Sequence, residues 1–326
     1  MNGKLSSILF VIFLQGNFDD AQAIVKAAFA DARFREEVKL GAINSINWAR
    51  VLAQITYYFY SWLRVTDHIP ITEMKPLIHY AVPTGNFGDI LAGYYAKRMG
   101  LPIGSLIVCT NENDVLHRFL TTGKYTNTPA HLTIAPSMDI SVSSNFERYL
   151  FYLADENAET LASWMKIFES TGEIAVPGHI LEKAREEFKS FPSHETDIVQ
   201  AMRSVYDNEN YLVCPHTATA VVACRALKMP SATTVILATA HPAKFEEAVN
   251  LALVNRTHPK RPKEINSLFS LPTRVTRIPA SLSHVQRFVR ARRISKGGSS
   301  FWWYGVLITA AAAAAVGIVI SRARKN

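Results

Sequence analysis

Ile78-His79-Tyr80-Ala81-Val82-Pro83-Thr84-Gly85-Asn86-Phe87-Gly88-Asp89 runs without a break into Ile90-Leu91-Ala92-Gly93-Tyr94-Tyr95-Ala96-Lys97-Arg98. It opens as a short apolar run, the pattern of a buried strand. Gly85 and Gly88 interrupt it. Helical spacing then begins: Ile90, Leu91, Tyr94 and Tyr95 share a face, and Gly100 follows as a stop. Strand, glycine loop, helix is how an α/β protein presents backbone N–H groups and a helix N-terminus to an anion, most often a phosphate. Asp89 suits the helix dipole but would repel a phosphate, so it is expected to cap the helix or orient the loop. The plain alternative is a tight connection whose glycines serve only the turn. The residues alone leave both readings open.

Beyond that helix, residues 105–110 form a second short apolar run, and Asn111-Glu112-Asn113-Asp114 then opens a helix. Alternation of this kind implies a parallel sheet with right-handed crossovers. Ligands in such sheets sit at the carboxyl ends of the strands, where both the Gly85 loop and Asn111 fall. Residues 46–63 read as a helix rich in Trp, Tyr and Phe, most of them core by default. Asn44, Ser45, Asn47 and Arg50 at its start are either caps and solvated positions or a hold for a substrate phosphate or carboxylate. The stretch 155–210 reads as a mainly helical, charged layer with no chemistry of its own. A small-residue helix follows Pro215, and 234–242 is an apolar strand ending in Thr239, His241 and Pro242. His216 and His241 are read equally as satisfied core histidines or as proton-transfer groups.

The run PTGNFGDILAGYYAKRMGLPI, with Cys109-Thr110-Asn111-Glu112-Asn113-Asp114 and Arg118-Phe119-Leu120-Thr121-Thr122-Gly123-Lys124-Tyr125 after it, resembles threonine synthases of the fungal and bacterial type. Gly16-Asn17-Phe18-Asp19-Asp20, Ser143-Ser144-Asn145-Phe146-Glu147-Arg148, Pro215-His216-Thr217-Ala218-Thr219 and Thr239-Ala240-His241-Pro242-Ala243-Lys244-Phe245 agree in family order, so the resemblance covers roughly residues 16 to 288. It implies a pyridoxal-phosphate enzyme of fold type II, like the tryptophan synthase β chain: an α/β open twisted parallel sheet with flanking helices. The implied reaction converts O-phospho-L-homoserine and water to L-threonine and phosphate. Gly85, Asn86, Phe87, Gly88 and Asp89 would form the phosphate loop, and the Thr239 hydroxyl would meet the pyridine nitrogen. Ser45, Asn47, Arg50 and Asn111 are the candidate substrate contacts. The family carries its Schiff-base lysine in a Phe-Lys-Asp context within a long N-terminal part. Phe188-Lys189 is the only Phe-Lys here, Ser190 follows it, and no second glycine-rich loop for the substrate carboxylate is present. The chain therefore reads as starting after both, with no assignable catalytic lysine.

Composition agrees with a folded enzyme body. The chain has 326 residues, is 48% hydrophobic and carries +8. That charge would suggest nucleic acid if it were spread, but no Asp or Glu follows Glu264, while ten Lys and Arg do. Subtracting these ten leaves −2 for residues 1–264. A basic tail suits a membrane surface better than a nucleic-acid fold. Cys109, Cys214 and Cys224 make no CxxC or Cys/His ligand spacing, so no metal site is expected. Scattered cysteines suit a reducing, cytosol-facing location.

The two ends hold the remaining expectations. Residues 1–15 are an apolar leader or a strand: Lys4, the apolar run and Ala21-Gln22-Ala23 would make a signal peptide, but cleavage there would destroy Gly16-Asn17-Phe18-Asp19-Asp20, which favours the strand. Residues 16–290 are the threonine-synthase-like domain, 291–300 a basic linker, 301–320 a transmembrane helix and 321–326 a basic end. The twenty residues 301–320 carry no charge, and about 30 Å of helix spans a bilayer. Three readings follow: a threonine synthase homologue, a non-catalytic membrane-tethered remnant binding a partner at an exposed sheet edge, or a truncated and fused gene product. A half-fold would leave apolar surface uncovered, so poor solubility or oligomerisation is expected.

Overall fold

A computed structural model of the chain describes residues 9–14, 18–42, 47–70, 73, 75–272, 275–294, 304–311 and 315–322. In chain order the elements begin β1 (Leu9–Leu14), α1 (Phe18–Ala30), α2 (Ala32–Val38), β2 (Leu40–Ala42), α3 (Trp48–Val65), β3 (Ile78–Pro83), α4 (Gly88–Arg98) and β4 (Ile103–Thr110). Next come α5 (Val115–Thr122), β5 (Lys124–Thr126), α6 (Phe146–Leu153), α7 (Ala158–Thr171), β6 (Glu173–Ala175), α8 (Gly178–Glu187), β7 (Phe188–Pro192) and α9 (Glu195–Glu209). The last are α10 (Pro215–Ala226), β8 (Thr234–Ile236), α11 (Glu246–Ala252), α12 (Lys263–Phe269), β9 (Val275–Ile278), α13 (Leu282–Ile294), β10 (Tyr304–Ala311) and β11 (Ala315–Arg322). They fall into two compact units: Met1–Asn47 with Ser267–Asn326, and Trp48–Asn266.

The Trp48–Asn266 unit is built on a four-stranded sheet in the order β7-β4-β3-β8, parallel throughout. Alternation sorts its side chains. Ile78, Tyr80 and Val82 of β3, with Leu106 and Val108 of β4, pack with Val51, Ile55 and Tyr58 of α3 and Ile90, Leu91 and Ala96 of α4. Ala81, Ile107 and Cys109 pack with Ala220 and Ala223 of α10. The small residues of α10 let that helix lie close on β3 and β4. The parallel sheet and flanking helices expected from the βαβ pattern are therefore present. The 155–210 layer differs in detail: β6 and β7 interrupt its helices, and β7, paired with β4, forms one edge of the sheet. Five residues between charged helices are too few for their period to stand out.

The other unit has a sheet in the order β2-β10-β11-β1-β9. Ile12 and Leu14 of β1 are buried with Val25 and Ala28 of α1, Phe34 and Val38 of α2, and Val285, Phe288 and Val289 of α13. Asp31 caps α2 by accepting from the Phe34 N–H at 2.9 Å. Arg290 of α13 grips the Glu37 carboxylate through two nitrogens, with contacts of 2.9–3.1 Å.

The transmembrane helix expected over 301–320 is overturned. Tyr304–Ala311 and Ala315–Arg322 are antiparallel strands, in register from Tyr304↔Arg322 to Ala311↔Ala315. No helix among the described residues is long and apolar enough to cross a membrane. The cause is composition. Val306, Ile308, Val316, Ile318, Val319 and Ile320 are β-branched and prefer a pleated surface. Their backbone groups pair across β1, β2, β10 and β11 rather than within a helix. Of the expected basic linker, 291–294 end α13 and 295–300 lie outside the described residues.

A candidate anion-binding site at the switch point of the parallel sheet

From β3 the chain moves to β4, and later elements add β7 outward on the same side. β8 then returns to the opposite side of β3. The strand order thus reverses between β3 and β8, and in open parallel sheets the ligand crevice lies outside the carboxyl ends at that reversal. The Gly85 loop leaves the carboxyl end of β3. Thr239 follows β8. Ala81 pairs with Ile236, and Thr84 and Thr239 each lie three positions further on, so the strand ends bring the two segments level. Thr239 is exposed.

The loop has an asymmetric hydrogen-bond account. Its acceptors are used. The Gly85 carbonyl accepts from the Ser143 hydroxyl at 2.8 Å, and the Asn86 carbonyl accepts from the Asn145 N–H at 3.2 Å and its Nδ2 at 2.8 Å. The Asn86 Oδ1 accepts from the Ser144 N–H at 3.3 Å, and the Phe87 carbonyl accepts the Leu91 N–H at 3.1 Å. The Asp89 carbonyl accepts the Tyr58 hydroxyl at 2.8 Å. The donors are not used: among the described residues, none of the six backbone N–H groups from Gly85 to Ile90 meets an acceptor. Three of them open α4, an eleven-residue helix with no side-chain cap. Free donors, a helix start and outward-turned carbonyls together form a cradle for an anion.

Sequence chemistry explains why the cradle holds its shape. Phe87 adopts φ 60°, in the left-handed region, which disfavours a bulky side chain. Packing holds it there: its ring is buried among Phe146, Phe188 and Tyr149 with centroids 5.3, 5.4 and 5.7 Å away. A Cβ on Gly85 would stand 3.1 Å from the Met138 Cα and 3.2 Å from the Ser137 carbonyl oxygen, so the loop requires glycine for close approach. His216 braces that neighbour. Its Nε2 accepts the Ser137 N–H at 3.0 Å, so the ring proton sits on Nδ1, and burial pulls its titration down to about 4. His216 is thus a neutral, buried acceptor here. His241 is exposed, and its Nδ1 accepts the Ala243 N–H at 3.1 Å.

Asp89 does not cap α4; Phe87 holds the cap position without a side-chain bond. The Asp89 Oδ1 instead lies 3.3 Å from the Tyr58 hydroxyl. Burial pushes its carboxyl up to about 6, against the pull of that contact. Burial, with the nearby Asp89 charge, also raises Tyr58 well above its ordinary range, so its hydroxyl stays a donor. Ser143 and Asn145 belong to a family-like run but have no role legible from sequence, and Tyr58 carries no signal at all. Tyr58 looked like one more core aromatic, and nothing local ties Ser143 to a loop 58 positions away.

The remaining candidates separate. Asn111 is fully buried at the end of β4. Its Nδ2 donates to Asp139 Oδ1 at 2.7 Å and Thr133 Oγ1 at 2.9 Å, and its Oδ1 accepts the Asn113 N–H at 3.0 Å. That network fastens 131–139 to the strand end and leaves Asn111 no free donor for a ligand. Arg50 is exposed in the first turn of α3, and Asn47 is half-buried just before it. Ser45 lies outside the described residues.

Fold and site together define an α/β protein whose parallel sheet carries, at its topological switch point, a glycine loop and helix start with acceptorless backbone N–H groups. The family model described as threonine synthase, C-terminal, matches residues 217–289. The chain is 45% identical over 267 residues to threonine synthase of Schizosaccharomyces pombe, covering 74% of this chain and 51% of that protein. It is 43% identical over 280 residues to threonine synthase of Pseudomonas aeruginosa, covering 85% and 58%. Among solved structures, yeast threonine synthase superposes with a TM-score of 0.77 at 38% identity, covering 87% of this chain and 60% of that one. The pyridoxal-phosphate-bound enzyme from Brucella melitensis gives 0.76 at 39%, covering 86% and 58%. The chain thus spans between half and three-fifths of the length of these relatives.

Proposed function

We propose that this chain supplies the phosphate-gripping part of a threonine synthase-like lyase that takes pyridoxal phosphate and acts on O-phospho-L-homoserine. The observation that carries this reading is the row of six acceptorless N–H groups from Gly85 to Ile90. Similarity to threonine synthases over most of the chain supports it. The residues fit the cofactor's phosphate: the cradle offers acceptorless backbone donors, and a Cβ on Gly85 would press the loop against the Ser137–Met138 backbone on which it rests. Gly85, Asn86, Phe87 and Gly88 would hold the phosphate, and Asp89, tied to Tyr58, would orient the first turn of α4. Thr239 would meet the pyridine nitrogen. A hydroxyl there can hydrogen-bond without adding a counter-charge, so the nitrogen stays unprotonated. When bound, the cofactor supplies an electron sink for bonds broken beside an amino group. Asn111 is better assigned to positioning than to substrate contact. Ser45, Asn47 and Arg50 remain proposed contacts for the substrate's anionic groups.

No Phe-Lys-Asp triplet occurs in the sequence, so in this reading the lysine that would form the imine and move protons comes from residues outside these 326. The same observation favours a second reading, a binding protein without catalysis. Absorbance of the purified chain with pyridoxal phosphate, before and after borohydride reduction, separates them. Saturable binding without label on any single lysine is the expected result, since the grip is present and the base is not. A label fixed on one lysine would mean that this chain carries its own base. No saturable binding would end the cofactor assignment itself.

A further inference from the structure

A cavity of about 670 Å³ opens in the Trp48–Asn266 unit beside the 238–243 segment. That volume lies within the ~300–1,000 Å³ typical of small-molecule sites. Ala238 and Ala240 line it and Thr239, between them, does not. β8 ends at Ile236, so Ala238 and Ala240 line the cavity from the loop that follows the strand. Two rings, Tyr206 and Tyr211, and the apolar groups of Leu212, Pro242, Val249 and Pro259 form its walls. The wall is tied down. The Tyr206 hydroxyl donates to the Thr257 carbonyl at 2.9 Å, and Arg256 pairs with Asp207 through contacts of 2.8 and 2.7 Å.

The polar groups of the lining are unbalanced. Its one carboxylate, Glu246, is paired with Arg261 at 2.6 Å. Lys260 has no ion-pair partner among the described residues, and His258 lies beside it. Because the Nδ1 of His241 already accepts from Ala243, its proton sits on Nε2, leaving that nitrogen a donor. Cations therefore outnumber carboxylates, Lys260 and Arg261 against Glu246, in a cavity whose walls carry two aromatic rings. We propose that this cavity binds a small molecule with a flat ring and one anionic group, a carboxylate or phosphate monoester, with Lys260 meeting the anion and Tyr211 the ring.

The test is calorimetric titration of the full chain, saturated with pyridoxal phosphate, with benzoate, phenyl phosphate and uncharged benzyl alcohol. At least one anion should bind saturably and about tenfold more tightly than the alcohol, and Lys260→Ala and Tyr211→Ala should each weaken it by about tenfold. Whichever of benzoate and phenyl phosphate binds more tightly identifies the anion. Absence of saturable binding, equal binding of the alcohol, or indifference to Lys260→Ala would overturn the proposal. So would displacement of the anion as pyridoxal phosphate is raised, since the cavity would then be the cofactor's own. If pyridoxal phosphate itself does not bind, the lyase reading fails, and the same titrations without it still decide the cavity.

Discussion

Asp89 and His216 brace the same loop and titrate in opposite senses. The Asp89 carboxyl is pushed up to about 6 by burial, above its ordinary value near 4. It holds its proton more tightly folded than unfolded, so it takes stability away as pH rises from about 4 to 6. The His216 ring is pulled down to about 4 from about 6.5. It binds its proton less tightly when folded, so it adds stability as pH rises over nearly the same span. The two largely cancel in the wild type. Asp89→Asn removes one side of the balance. Its gain in urea midpoint over wild type should grow between pH 4 and 6 and level off above; a gain independent of pH would contradict the burial of that carboxyl. At this scale the glycines of the loop were legible, because strand, Gly and helix follow one another in sequence. Tyr58 was not, because its partner Asp89 lies 31 positions away and only packing brings them together.

The loop's shape belongs to two elements, β3 and α4, and to the aromatic cluster beneath their junction. Phe87 carries an unfavourable left-handed backbone because its ring is buried against Phe146, Tyr149 and Phe188. Phe87→Ala should therefore cost about 3–5 kcal/mol of unfolding free energy in urea titrations and weaken anion binding with it. A loss under about 1 kcal/mol would mean the ring does not hold the loop. Elements with a strong period, such as α3, β3, α4 and β4, were readable from their apolar spacing. The stretch 301–320 was not: twenty uncharged residues satisfy a length rule for a membrane helix, yet their β-branched side chains found a sheet whose other strands lie far away in the chain. β7 escaped for a related reason, since its pairing with β4 is a tertiary fact.

In the molecule as a whole, α3 presents Trp48, Tyr57, Tyr60 and Leu63 at 51–68% exposure. So many large apolar groups on one helix mark a surface that seeks cover. Sedimentation velocity over a hundredfold concentration range should show reversible self-association that Tyr60→Lys reduces; a monomer throughout would contradict it. Sequence alone pointed to an uncovered surface, through the share of the family pattern present, but not to which helix carries it. For the cradle at the end of β3 the decisive experiment is equilibrium dialysis against pyridoxal phosphate and against pyridoxal, which lacks the phosphate. Pyridoxal phosphate should bind saturably, pyridoxal at least about tenfold more weakly, and that difference should be lost in Gly85→Ala. Equal binding of the two compounds, or a difference that survives Gly85→Ala, would contradict that role for the cradle.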